Sequence, residues 1–143
     1  MRGRSRFAVL GILLVMTLAA CSTSPYRPAD GRGFGYSERQ LSNDQFRIHF
    51  RAMGDNTSQA LDYAMLRASE LTLINGYDWF DIANRDTLVD RQPIPGDQSA
   101  SRFATGLKEI EVIMEIHMGK GIRPDSRISY DAREVFERLQ QDT

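Results

Sequence analysis

Hydrophobic and polar residues alternate with a period of two in three segments, which is the pattern of a half-buried β-strand. The first segment places Phe46, Ile48 and Phe50 between polar neighbours, and the second covers residues 77–83. The third, residues 109–118, is the longest, with isoleucine, valine or methionine at every second position and mostly glutamate between them. Each segment is therefore predicted to have one buried face and one solvated face. Residues 91–102 contain two prolines and a glycine, which predicts a loop.

Two other segments have the spacing of amphipathic helices. Leu61, Ala64, Ala68 and Leu71 recur at intervals of three and four residues and so form one stripe. Thr57 or Ser58 is expected to cap the start of this helix through its hydroxyl, and Asn75-Gly76 is expected to end it. A second helix is predicted over residues 130–141, with an apolar side formed by Ala132, Val135, Phe136 and Leu139.

The element order is therefore β-α-β-β-α, which predicts an α+β fold with a small, three-stranded, mainly antiparallel sheet and helices on one face. The first β-α-β unit predicts parallel outer strands joined by a right-handed crossover. The long third strand would then lie between them, antiparallel to both. The other sheet face would meet water, as the charged alternate residues require.

The N-terminus has the order of a bacterial export signal. Arg2, Arg4 and Arg6 precede an uncharged stretch, residues 7–20, which is shorter than the roughly 20 residues that a membrane-spanning helix needs. The sequence Leu18-Ala19-Ala20-Cys21 resembles a lipobox, in which the cysteine thiol receives a diacylglyceryl group and the chain is cut before that cysteine. The alternative is an unmodified cysteine in an ordinary signal peptide. The only cysteine of the chain lies where the motif requires it, which favours the lipobox and leaves no thiol for a disulfide.

The predicted organisation has three parts: a cleaved signal peptide (1–20), a lipidated N-terminus and flexible tether (21–43), and one α+β periplasmic domain (44–143). Gly31, Gly33 and Gly35 lie in the tether and are interpreted as a spacer, because no strand precedes them as a phosphate-binding loop would require. By resemblance to the enterobacterial sorting rule, Ser22 after the lipidated cysteine favours the outer membrane, facing the periplasm. The alternative location is the periplasmic face of the inner membrane.

Charge narrows the set of partners. The chain has 18 basic and 19 acidic residues, and removal of the three signal-peptide arginines leaves 15 basic residues and a net charge of −4. Such a balance argues against a nucleic-acid partner and against a polybasic grip on anionic lipid. The expected membrane contact is through lipid on Cys21, together with an envelope protein partner.

The solvated sheet face carries the main candidate chemistry. Its predicted members are basic on the first strand and mostly acidic on the third: Arg47, His49 and Arg51, and then Glu109, Glu111, Glu115 and His117. The favoured interpretation is a set of cross-strand ion pairs. A weaker hypothesis is a metal site formed by His49, His117 and Glu115 or Glu111, because zinc accepts nitrogen and oxygen ligands. No cofactor is otherwise predicted.

Two further positions have both a structural and a functional interpretation. Glu70 is either an exposed helical residue or a partly buried carboxylate paired with Arg67. Tyr77 and Trp79 form either part of the core or an exposed aromatic patch for a partner, and core packing is favoured.

The sequence carries neither a Gly-x-Ser-x-Gly elbow nor a His-Glu-x-x-His motif, and its one cysteine is assigned to lipid. We therefore expect a non-catalytic envelope interaction or structural module, able to bind a partner by strand addition at an exposed sheet edge. The alternative is a metal-binding or ligand-binding sensor, and an enzyme is least favoured.

The chain also resembles a family of small proteobacterial lipoproteins with a lipobox near the start and no established activity. The specific part is Arg67-Ala68-Ser69-Glu70-Leu71-Thr72-Leu73, then Asn75-Gly76-Tyr77-Asp78. Shorter matches are residues 25–29, residues 35–38 and a C-terminal Tyr130-Asp131-Ala132-Arg133 motif. The chain departs from the family at Ser69, where alanine is more common, and in the turn at residues 52–54. The resemblance implies the anchor and the architecture, and implies no activity, cofactor or partner.

Overall fold

Five strands and two α-helices form the part of the chain that the computed structural model describes, residues 24–92 and 107–142. The elements, in chain order, are β1 (Gly35–Ser42), β2 (Gln45–Met53), α1 (Thr57–Ile74), β3 (Trp79–Gln92), β4 (Leu107–Gly119), β5 (Ser129–Asp131) and α2 (Ala132–Leu139), followed by a 3-10 turn at Gln140–Asp142.

The sheet has five strands in the order β1-β2-β4-β3-β5, so the prediction of a three-stranded sheet is wrong. Every neighbouring pair is antiparallel. The α+β class and the position of β4 between β2 and β3 agree with the sequence prediction. The two additional strands are the sheet edges. β1 has a mostly polar, exposed sequence, and β5 has only three residues, so neither shows a hydrophobic alternation.

The predicted tether is wrong over residues 35–42, which form β1. The chain before β1 also packs on the sheet: the amide of Tyr36 donates to the carbonyl of Arg27 (2.8 Å), and the amide of Ala29 donates to the carbonyl of Tyr36 (2.8 Å). Gly35 allows this close approach, because a Cβ there would overlap the Arg27 carbonyl oxygen, and its φ is +117°. Gly35 is therefore a packing residue and not a spacer.

Three element boundaries also differ from the prediction. β3 continues from Trp79 to Gln92 instead of ending at residue 83, so it takes the first two residues of the predicted loop, while residues 93–106 lie outside the described chain. Asn56 caps α1, accepting from the amide of Gln59 (3.0 Å), in place of Thr57 or Ser58. α2 begins at Ala132, because residues 129–131 pair with β3 before the helix starts.

One hydrophobic core lies between the helices and one face of the sheet. β4 contributes its even-numbered residues 110–118, all buried, and β2 contributes Phe46, Ile48 and Phe50. Helix α1 packs against both the sheet and α2. Ala64, Ala68 and Leu71 of the predicted stripe are buried, while Leu61 is partly exposed. Small alanine side chains let the helix approach the sheet closely, and Gly76 (φ +73°) ends it as predicted.

The predicted signal peptide, the lipobox and Cys21 lie outside the described residues. Among the described residues, no helix has the length and apolar character needed to cross a membrane.

Candidate functional site

The solvated sheet face carries the predicted ion pairs. Arg47 and Glu115 are direct cross-strand neighbours of β2 and β4, and the Nε of Arg47 donates to a Glu115 oxygen at 2.7 Å. Arg51 pairs with Glu109, and this hydrogen bond raises the pKa of Arg51. His49 Nδ1 lies 3.4 Å from Glu111. All of these side chains keep part of their surface in water, so each pair adds little stability.

The structure does not bring the hypothetical metal ligands together. His49 lies opposite Ile113 of β4, whereas His117 lies four positions further along that strand, about 13 Å away at 3.3 Å per residue. His117 instead lies 3.0 Å from Asp44, a residue of the β1–β2 turn that sequence reasoning missed. Ser42 also donates to Asp44 (2.7 Å) and holds its pKa below the usual value. Across the described chain, no three histidine, cysteine, aspartate or glutamate residues group as a metal site.

Trp79 and Tyr77 pack as structural residues. Both side chains are half-buried, and Tyr77 lies against the hydrophobic core. Gly119 is the cross-strand partner of Trp79, and a Cβ at Gly119 would overlap the indole ring. The ring therefore fills the space above a glycine in the sheet. Tyr77 therefore agrees with the favoured interpretation of core packing, whereas Trp79 does not, because it lies outside the core on the solvated sheet face, edge-on to the His117 ring.

Five side chains join the N-terminal segment to helix α1, and we call them the docking cluster: Tyr26, Tyr36, Glu38, Arg67 and Glu70. Arg67 donates to Glu70 (2.8 Å) and to Glu38 (2.7 Å), and its guanidinium lies 4.4 Å from the centre of the Tyr36 ring. The Tyr26 hydroxyl donates to Glu70 at 2.6 Å. The expected Glu70–Arg67 pair is present, but Tyr26 and Glu38 could not be linked to it from sequence spacing alone.

The docking cluster strongly perturbs two ionisable groups. Burial, followed by the hydrogen bond to Glu70, raises the pKa of Tyr26 well above its ordinary value. Burial opposes the charge of Arg67, but the hydrogen bonds to Glu38 and Glu70 outweigh that effect and its pKa is also raised. The cluster therefore holds a neutral phenol and a permanent cation at the junction.

A cavity of about 540 Å³ lies beside the docked segment, and its lining combines three arginines, Arg27, Arg32 and Arg51, with mostly apolar residues. We call it the arginine cavity. The guanidinium groups of Arg32 and Arg51 lie 5.6 and 5.3 Å from the centre of the Phe34 ring, which is cation–π geometry. Ser24, the first described residue, is part of the wall.

The outer edge of β3 is the remaining exposed feature. β5 covers this edge only over residues 79–81, with one further backbone bond from Ile82 to Ile128. Residues 83–89 are all exposed, and a β-bulge between Ile82 and Asn84 precedes them. Leu88 and Val89 are 53% and 52% exposed. Within residues 24–92 and 107–142, β4 pairs with this part of β3 on its inner side, and no segment pairs with its outer side.

Comparison with protein-family models, with curated proteins and with solved structures gives no match for this chain. The resemblance to small proteobacterial lipoproteins therefore stays a prediction from sequence motifs.

Proposed function

We propose that this chain is a lipid-anchored envelope protein without catalytic activity, which binds an extended segment of a partner protein along the open edge of β3. The anchor is lipid on Cys21, and Ser22 favours the outer membrane, facing the periplasm. The observation that carries the interaction is the outer edge of β3 at residues 83–89, with which no other described segment pairs and where two apolar side chains are half exposed.

A free strand edge offers main-chain donors and acceptors to any extended peptide. Leu88 lies opposite Glu111 and Val89 opposite Ile110, so the two side chains stand on opposite faces of the sheet. An added strand would therefore gain one apolar contact on each face. The other sheet edge fits this purpose less well, because β1 is already partly paired by residues 27–29.

Charge pattern disfavours a second copy of this chain as the occupant. An antiparallel pair of identical strands is related by a two-fold axis, so each register is centred on one residue. A register centred on Asp86 sets that carboxylate against itself, and one centred on Thr87 sets Leu88 against Asp86. A register centred on Leu88 sets Asp86 against Asp90. Like charges directly opposite each other destabilise a sheet, so the edge suits a different sequence.

Photocrosslinking in cells tests this function. A photoreactive amino acid at Thr87, which is exposed on the open edge, is expected to capture one envelope protein through one short segment. The same probe at Arg133, exposed on α2, is the control and should not capture that segment. A synthetic peptide with the captured sequence should then bind the purified protein.

A charge substitution at the edge provides the matched variant. Leu88→Lys with Val89→Lys should abolish both the crosslink and the peptide binding, because lysine on an edge strand blocks pairing. Ile74→Lys, at a residue 73% exposed at the end of α1, is the comparison and should change neither. A crosslinked homodimer, or capture that survives the double variant, contradicts the proposal.

A further inference from the structure

We infer that the arginine cavity is a binding site for the phosphate of an anionic phospholipid headgroup in the membrane that holds the anchor. This inference rests on the proposed lipidation of Cys21, and it adds a second membrane contact of different chemistry. It does not depend on the partner at β3.

Distance along the chain places the cavity at the membrane. Ser24 follows Cys21 by three residues, and three extended residues span at most about 11 Å. The headgroup layer adds roughly 5–7 Å on each side of the hydrocarbon core. Since Ser24 itself lines the cavity, a lipidated Cys21 holds the opening within reach of the headgroups.

The charged part of the lining has the chemistry that phosphate requires. Arg27, Arg32 and Arg51 line the cavity together with mostly apolar residues, and no acidic residue lines it. Guanidinium groups bind phosphate through paired N–H donors. The Arg32 side chain is 80% exposed and that of Arg27 is 46% exposed, so both can turn toward a ligand. Arg51 is held in place by its ion pair with Glu109 and forms a fixed part of the cavity wall.

Asp30 is the acidic residue beside these arginines, and its carboxylate has a structural role. It accepts hydrogen bonds from the backbone amides of Arg32 (2.9 Å) and Phe34 (3.1 Å), and these bonds close the turn before β1. These backbone bonds hold the pKa of Asp30 below its ordinary value. Its contacts to Arg27 (3.4 Å) and Arg32 (3.7 Å) are long and solvated, so a phosphate can replace them at low cost.

The net charge of the mature chain led us to expect no electrostatic contact with anionic lipid. That total counts charges over the whole surface, whereas screening by salt limits the range of each charge's interaction to about one Debye length, near 8–10 Å. Only the charges closest to the anchor therefore interact with the headgroups. Those charges include the three cavity arginines and the carboxylates of Asp30 and Glu109 that contact them, which leaves a local excess of one positive charge.

Arginine labelling with phenylglyoxal, followed by mass spectrometry of the peptides, tests the inference on the mature lipoprotein without substitution. The protein is placed in nanodiscs of phosphatidylglycerol or of phosphatidylcholine. We expect Arg27 and Arg32 to react about fivefold more slowly in phosphatidylglycerol, the protection that one basic residue near an anionic surface gains. Arg133, exposed on α2 and outside the cavity, should react at the same rate in both.

A charge-matched pair of variants supplies the second measurement. Arg32→Gln should remove most of the protection of Arg27, whereas Arg133→Gln should leave it unchanged. Both positions are exposed, so neither substitution threatens the fold. Protection that is unaffected by Arg32→Gln overturns the inference.

Three other results also overturn it. Equal reaction rates of Arg27 and Arg32 in the two nanodiscs exclude a headgroup site. Slowing of Arg133 in phosphatidylglycerol to the same degree shows that the lipid shields arginines in general. Equal protection by inorganic phosphate in detergent shows a site for soluble anions. The mass of the Cys21 peptide from the same digest reports separately whether the anchor is present. An acylated peptide together with unprotected arginines rejects the headgroup site alone. An unacylated peptide rejects both the anchor and this inference.

Discussion

One phenol hydroxyl connects the N-terminal segment to helix α1, and its protonation should control stability at alkaline pH. Below about pH 10, Tyr26 holds its proton in both the folded and the unfolded chain. Above that pH the unfolded chain loses the proton, while the folded chain keeps it because burial and Glu70 raise the Tyr26 pKa. The folded state then binds more protons, so stability falls as pH rises.

The variant Tyr26→Phe should therefore lose less stability between pH 9 and pH 11 than the natural chain, as measured by thermal melts across that range. Tyr77→Phe is the control, because the Tyr77 hydroxyl makes only a 3.4 Å contact to the carbonyl of Asn43. Melting curves of Tyr26→Phe that fall in parallel with those of the natural chain would show that the Glu70 contact does not persist in solution.

The two histidines should not form a zinc site. Each lies against its own carboxylate, and His49 lies opposite Ile113, which is four positions from His117 along β4. We expect added zinc to leave the melting temperature unchanged, both in the natural chain and in the His49→Gln, His117→Gln double variant. A saturable zinc-dependent rise that is lost in the double variant would contradict this, because a ligand that binds only the folded state raises its melting temperature.

At the residue scale, sequence alternation predicted which charged side chains share a face, because a strand has a strict period of two. It also predicted that basic residues of β2 pair with acidic residues of β4, although it did not predict which residues, such as Arg47 and Glu115, lie opposite each other. Tyr26, Glu38 and Asp44 were missed. Their partners are 29 to 73 residues away along the chain, and no local pattern encodes a contact at that separation.

At the element scale, helix α1 offers a direct test of its buried face. Leu71 is 5% exposed and Ile74, three residues later, is 73% exposed. Leu71→Ala should lower the free energy of unfolding by about 2–5 kcal/mol, since it removes buried methyl groups and leaves a cavity. Ile74→Ala should change it by no more than about 0.5 kcal/mol. Denaturant melts measure both values, and equal effects would mean that the helix presents a different face to the sheet.

Helix α1 and the core strands were predictable because each buries one regular face, and the regular spacing of hydrophobic residues in the sequence indicates that face. The edge strands were not. β1 is exposed on most of its residues, and backbone pairing with β2 defines it as a strand. β5 is too short for a period, and the predicted helix over residues 130–141 includes two of its three residues. The extension of β3 is exposed on both faces over residues 83–89, so its sequence resembles a loop.

At the scale of the whole molecule, the lipid anchor is the prediction with the widest consequences. Cys21→Ser should abolish lipid attachment and leave the signal peptide uncleaved, because the thiol that accepts the diacylglyceryl group is gone. Metabolic labelling with a palmitate analogue, together with a gel shift of the uncleaved precursor, measures the result. Ser24→Ala is the matched control and should be labelled normally. Label that persists on Cys21→Ser would exclude the lipobox.

The packing of residues 24–29 on α1 and β1 changes what a lipid anchor would do for this protein. A domain on a long flexible linker samples a hemisphere of positions, whereas here only two residues, Ser22 and Thr23, lie between Cys21 and the first described residue, Ser24. A domain attached through so short a link would stay close to the membrane surface, and its search for a partner would be two-dimensional. A partner must therefore present its strand within about one domain diameter of the bilayer, and lengthening the chain at Ser22 should reduce capture by lowering the effective concentration of the β3 edge at that height.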